Sequence, residues 1–129
     1  MNKLQVNPWQ WQDRAGFTQA WRVDGASTLV FVSGQAPISG DGQLVGEGDF
    51  DAQTRLVFEN LRTVLEQAGA TLESVVKLTV FLTDMSRLAD YTRIKGTFFT
   101  GEQPASTAVG IAALARPEMM VEVEALAIF

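Results

Sequence analysis

Histidine and cysteine are both absent from the 129 residues. Their absence excludes zinc sites of the usual His/Cys type, along with Ser-His-Asp and Cys-His nucleophile pairs. It also leaves no imidazole to titrate near neutral pH. Acid–base chemistry falls to Asp, Glu, Lys, the single Tyr91 and bound water. No metal and no cofactor is expected. Long apolar runs are missing too: none approaches the ~20 residues that a membrane span needs. The N-terminal MNKLQVNPWQWQDR lacks the apolar core of a secretory signal. A cytoplasmic protein with no membrane association is therefore expected. Positive charge is sparse, with ten Lys and Arg against 15 Asp and Glu, a net −5. Only Arg93 and Lys95 among the cations stand close together. Phosphate neutralisation supplies most non-specific nucleic-acid affinity, so no nucleic-acid partner is expected.

What remains is an ordinary globular composition, 47% hydrophobic and 19% charged, in a single domain spanning residues 1–129. Hydrophobic periodicity alternates between two and about 3.6, which indicates an α+β domain. FTQAWRV (Phe17–Val23) and STLVFVSGQAP (Ser27–Pro37) are two expected strands, joined as a hairpin by a turn at Gly25–Ala26. A Gly-rich loop over Ser39–Gly48 follows; it lacks the lysine of a phosphate-binding loop. A helix is expected from a cap at Asp51 to Gly69, with Val57, Leu61, Val64, Leu65 and Ala68 in one stripe. VVKLTVFLTD (Val75–Asp84) is a third strand. A second helix lies in SRLADYTRIKGTFF (Ser86–Phe99), where Leu88, Tyr91, Ile94 and Phe98 recur at helical spacing. PASTAVGIAAL (Pro104–Leu114) and MMVEVEALAIF (Met119–Phe129) complete the order β-β-α-β-α-β-β. One mixed sheet with two helices on one face is the natural layering. Its other face is left for oligomerisation to cover. Trp9 and Trp11 are expected to pack an N-terminal arm.

The last strand carries the clearest oddity. Side chains alternate along a strand, so Val121, Val123, Ala125 and Ala127 form a wholly apolar face, while Glu122 and Glu124 share the other. Two carboxylates there mark either a solvated edge or the wall of a cleft.

Several stretches in order and at matching spacing resemble the RidA (YjgF) family: VSGQAP at 32–37, VVKLTVFLTDMSRLADY at 75–91, FF at 98–99, PAST at 104–107 and VEVEALA at 121–127. The resemblance implies a chorismate-mutase-like α+β fold and a homotrimer whose sheets line a central barrel. Small-molecule clefts then lie at the subunit boundaries. It further implies hydrolysis of reactive 2-imino or 2-enamino acids to 2-oxo acids and ammonia. Relatives include aminoacrylate and 2-aminomuconate deaminases, and some members have been described as ribonucleases or translation inhibitors. Carried over by motif, Glu122 is the catalytic position, orienting water. Ser33 and Gly34 come from the SGQ motif, and Phe17 stands where the family usually has Tyr. Thr92 falls near a helix-two Asn, and Ser106, Thr107 and Ala108 follow Pro104-Ala105. The family's motif is Pro-Ala-Arg-Ser, its arginine clamping the substrate carboxylate; here Ser106 occupies that place.

That departure is large in energy. An Arg–carboxylate pair is bidentate and directional, and loss of a buried one costs ~2–5 kcal/mol, a factor of roughly thirty to several thousand. A seryl hydroxyl is short and neutral. Three readings follow: imine substrates without the usual carboxylate, a second arginine (Arg14 or Arg93) reaching the cleft, or a cleft that binds without catalysis. The last would make the protein a ligand-binding or chaperone-like trimer. A ribonuclease needs phosphate-binding cations and an acid–base pair, for which −5 and no histidine are poor material.

Overall fold

The computed structural model describes all 129 residues, Met1–Phe129. Helix α2 (Phe50–Gln67) forms because its inward residues recur at helical spacing and its first turn is capped. Asp49 is that cap, its carboxylate accepting from the Ala52 amide at 3.0 Å. Asp51, the expected cap, lies one residue inside the helix. Phe50, Val57, Phe58, Leu61 and Leu65 are buried along one stripe, whereas Val64 and Ala68 face outward at the C-terminal end. Gly69 ends the helix with φ 79°, a left-handed conformation suited to glycine.

Four strands make the main sheet: β3 (Leu29–Gln35), β4 (Val75–Leu82), β5 (Ala105–Gly110) and β6 (Val121–Ile128), in the spatial order β3-β6-β4-β5. The β4–β5 pair is parallel and the others antiparallel. Helix α3 (Leu88–Phe98), entered through a 3₁₀ turn at Met85–Arg87, packs beside α2 over the same face of the sheet. The fold is thus α+β, a mixed sheet with two main helices. Leu78, Val80, Leu82, Val121 and Val123 point into the core without measurable exposure. Phe58 joins the two helices: its ring centroid lies 5.7 Å from Tyr91, 5.2 Å from Phe98 and 5.9 Å from Phe99. Such aromatic pairs add about 0.5–1.5 kcal/mol each beyond burial, and here they fix the rotation of α3.

The expected N-terminal hairpin does not form. Strand β2 (Ala20–Asp24) pairs instead with β1 (Asn2–Val6), a strand the alternation did not reveal, in a separate two-stranded ribbon. Gly25 does turn the chain, at φ 75°. The turn, however, hands the chain from the ribbon to the main sheet, where Ser27 and Thr28 amides donate to the Phe129 carbonyl. Local sequence could not show that β3's partner would be the last strand. The first expected strand also starts late, because Phe17 to Gln19 leave the ladder. A one-turn helix, α1 (Gln12–Ala15), precedes them and ends at Gly16, with φ 72°. Trp9 and Trp11 are not packed away, being 57% and 61% exposed. No helix is long and apolar enough to cross a membrane.

Candidate functional site

A cavity of about 780 Å³ opens between α1, α3 and β5. Four of the residues expected at a cleft line it: Phe17, Thr92, Ser106 and Ala108. Their convergence has a local cause. Thr18 bridges Ala105 and its amide donates to the Pro104 carbonyl at 3.1 Å, so Phe17 is held beside the start of β5. The Trp21 indole adds a bond to the Gln103 carbonyl at 3.1 Å. On β5, Ser106 and Ala108 lie in register with Leu78 and Val80 and so face the helices. Trp11 meets the Phe17 ring edge-on at 5.7 Å between centroids.

The other four expected residues lie on the opposite, open face of the sheet. Thr107 alternates with its neighbours and turns outward, its hydroxyl accepting from Lys77 Nζ at 2.7 Å. The β3–β6 register shifts between Val32 and Gln35, which oppose Ala125 and Val123. This bulge brings Gly34 under the Glu122 side chain, while Ser33 borders a shallow hollow with Glu124. A Cβ on Gly34 would stand 2.7 Å from Glu122 Cδ, so the carboxylate occupies the space that a side chain at residue 34 would take. Asn60 of α2 steadies the segment that follows, donating to the Ala36 and Ile38 carbonyls at 3.0 and 2.8 Å. Glu122 is half-buried and Glu124 is exposed. Both carboxylates lie on the open face of the sheet, Glu122 the more enclosed.

One chain therefore presents the expected site as two separated halves. The sheet itself lies between Glu122 with its Ser33–Gly34 bulge and the cavity that contains Ser106.

Charge in the cavity is one-sided. Arg14, Arg93 and Lys95 line it, and no carboxylate does. Arg93, one of the two arginines with a possible reach to the cleft, is committed elsewhere: its guanidinium donates to Asp51 at 2.9 Å. Those same bonds hold its pKa above the usual arginine range. Arg14 also borders the cavity and makes no hydrogen bond or ion pair with the rest of the chain. Lys95 is 2% exposed, and burial pushes its ammonium down to about 8. Its Nζ donates to the Gly16 carbonyl. Tyr91 is also 2% exposed, its hydroxyl has no partner, and burial raises its pKa. Neither residue stood out by motif. A signal existed in Lys95, a charge set one residue after Ile94 and four after Tyr91, inside the apolar stripe of α3.

The family model for endoribonuclease L-PSP matches residues 11–129. A RutC family protein of Pyrococcus abyssi is 36% identical over 111 residues, which cover 86% of this chain and 84% of the relative. Among solved structures, the Rid family protein YyfB of Yersinia pestis, of unknown function, aligns over 100% of both chains with TM-score 0.91 and 34% identity. Rv2704 of Mycobacterium tuberculosis, a member of the YjgF/YER057c/UK114 family, gives TM-score 0.69 at 32% identity over 99% of this chain and 100% of its own. Shared fold, strand order and sequence likeness over nearly the whole length place this chain in the Rid (YjgF) family.

Proposed function

We propose that the protein hydrolyses reactive imines or enamines to a carbonyl compound and ammonia, at sites completed by neighbouring copies in a homotrimer. The observation that carries this reading is the division of the candidate residues between the two faces of one sheet. Phe17, Thr92, Ser106 and Ala108 line a cavity on the helix side. Ser33, Gly34 and Glu122 occupy the open face, with Thr107. That open face also exposes Phe31 at 80% and Leu29 at 55%. Apolar surface of this kind favours burial against another chain. A head-to-tail ring sets the open face of one copy against the cavity of the next.

The chemistry asks little of the protein. A protonated C=N bond is electrophilic; water adds to carbon, the carbinolamine collapses, and ammonia leaves as C=O forms. Glu122 accepts a hydrogen bond from the attacking water and aims it. The Ser33–Gly34 bulge keeps that carboxylate in place by leaving room for it. Water is the only co-reactant, so no cofactor enters, and a cytoplasmic location belongs to the same proposal. Ser106 offers a hydroxyl where the resemblance implies an arginine, so the substrate's polar group must be held differently. A ribonuclease reading fits poorly with a net charge of −5 and no histidine. The remaining alternative, a trimer that binds ligands without turnover, draws on the same Ser106.

Imines generated in situ by amino-acid oxidases, with and without a carboxylate, test the reading. Wild type should accelerate loss of at least one imine, and Glu122→Ala should abolish the acceleration while the assembly stays intact. Saturable binding with no turnover of any imine would replace the hydrolase by the binding trimer.

A further inference from the structure

Lys95 is a buried cation without a counter-ion. An ammonium has three donors, and only one is used, on the Gly16 carbonyl. No carboxylate lies within ion-pair distance of it, and none lines the cavity it borders. Burying a charge without a partner is costly, so the arrangement is matched to an anion from outside the chain. Tyr91 lies one helical turn before Lys95, on the same side of α3. Tyr91 also lines the cavity, and its buried hydroxyl has no partner. Arg14 supplies further positive charge from α1, and Phe17 supplies an apolar wall.

We propose that Lys95 and Arg14, with the Tyr91 hydroxyl, form an anion subsite that binds the carboxylate of a small ligand with an apolar body. This rests on the hydrolase reading and assigns the carboxylate that the resemblance implies to different side chains of this chain. The role falls to α3 and α1, while Ser106 on β5 is left neutral. Nevertheless the subsite is a matter of binding and holds whether or not turnover follows. Arg93 lines the same space but is neutralised by Asp51 at 2.9 Å.

Benzoate, its neutral isostere benzamide and inorganic phosphate, titrated calorimetrically against the intact protein, provide the test. Wild type should bind benzoate and not benzamide. Lys95→Gln keeps a donor for the Gly16 carbonyl but removes the charge; it should weaken benzoate about thirtyfold to several thousandfold, with an unchanged circular dichroism spectrum. Lys95→Arg should retain most of the affinity. Phosphate bound as tightly as benzoate, with the same dependence on Lys95, would overturn the carboxylate-plus-apolar assignment.

The pH dependence has a defined sign. Of the two forms of Lys95 only the ammonium attracts the anion, so affinity should be highest below about 8 and fall toward what Arg14 alone supports as pH rises through that value. The other groups with shifted pKa values that face Lys95 do not mimic this: Arg93 is held above the usual arginine range by Asp51, and Tyr91, raised by burial, stays neutral. Equal binding of benzamide, or benzoate affinity untouched by Lys95→Gln, would overturn the proposal. If benzoate binds as described and no imine is hydrolysed, the subsite stands and the hydrolase reading falls.

Discussion

Two residues define the open half of the site by their closeness. Glu122 reaches over β3 only because residue 34 has no side chain; a Cβ there would meet Cγ at 3.0 Å and Cδ at 2.7 Å. The obstructed atoms belong to a flexible side chain, so Gly34→Ala should be tolerated by the fold. The carboxylate would swing aside instead. Displacement of a catalytic group by about 1 Å can cost ~10²-fold in rate. Gly34→Ala should therefore lower imine hydrolysis by about one to two orders of magnitude with little change in melting temperature. Full activity in the variant would remove Glu122's position from the mechanism. Ser106 is the opposite case, a residue defined by what it replaces. Its place beside Phe17 and Thr92 was legible from motif order alone. That Lys95 shares the cavity was not, because a lysine in a helix is ordinarily solvated and only the packing of Gly16 against α3 encloses it.

Elements deliver these residues through a few polar ties. Asn60 of α2 holds the chain just after the β3 bulge with two bonds, to Ala36 and Ile38. Gln53 does the same for the entrance to β6: its amide donates to the Gly46 and Glu118 carbonyls at 3.0 and 2.9 Å and its oxygen accepts from Met120 at 2.8 Å. Asn60→Ala leaves two carbonyls without that donor and should cost about 1–3 kcal/mol by denaturant unfolding. It should also depress hydrolysis, since the Ser33–Gly34 bulge loses its anchor; normal stability would show the tie to be dispensable. Helices and core strands were legible in sequence because their periodicity is a local property: Val57, Leu61 and Leu65, or Val121 and Val123, repeat as their element demands. The pairing of strands was not. β3 lies beside β6 because chain closure over about a hundred residues is decided by burial, and β2 pairs with β1, whose five residues are almost all exposed and carry no alternation to read. A turn glycine such as Gly25 shows that the chain bends, not where it goes.

At the scale of the whole molecule, the proposed site needs more than one copy. A single chain keeps Glu122 and the cavity on opposite sides of its sheet, and it leaves Phe31 80% exposed. The separation of the two halves is what a cleft shared between copies would need. The direct measurement is complementation. Glu122→Ala removes the open-face half, and Thr92→Trp fills the cavity half; each protein alone should be inactive on a competent imine. Refolded together in equal amounts, random head-to-tail rings would carry two intact halves at about a quarter of their sites. The mixture should recover roughly a quarter of wild-type activity. A mixture no more active than either variant, with mixed assemblies confirmed by mass spectrometry, would contradict a site shared between copies.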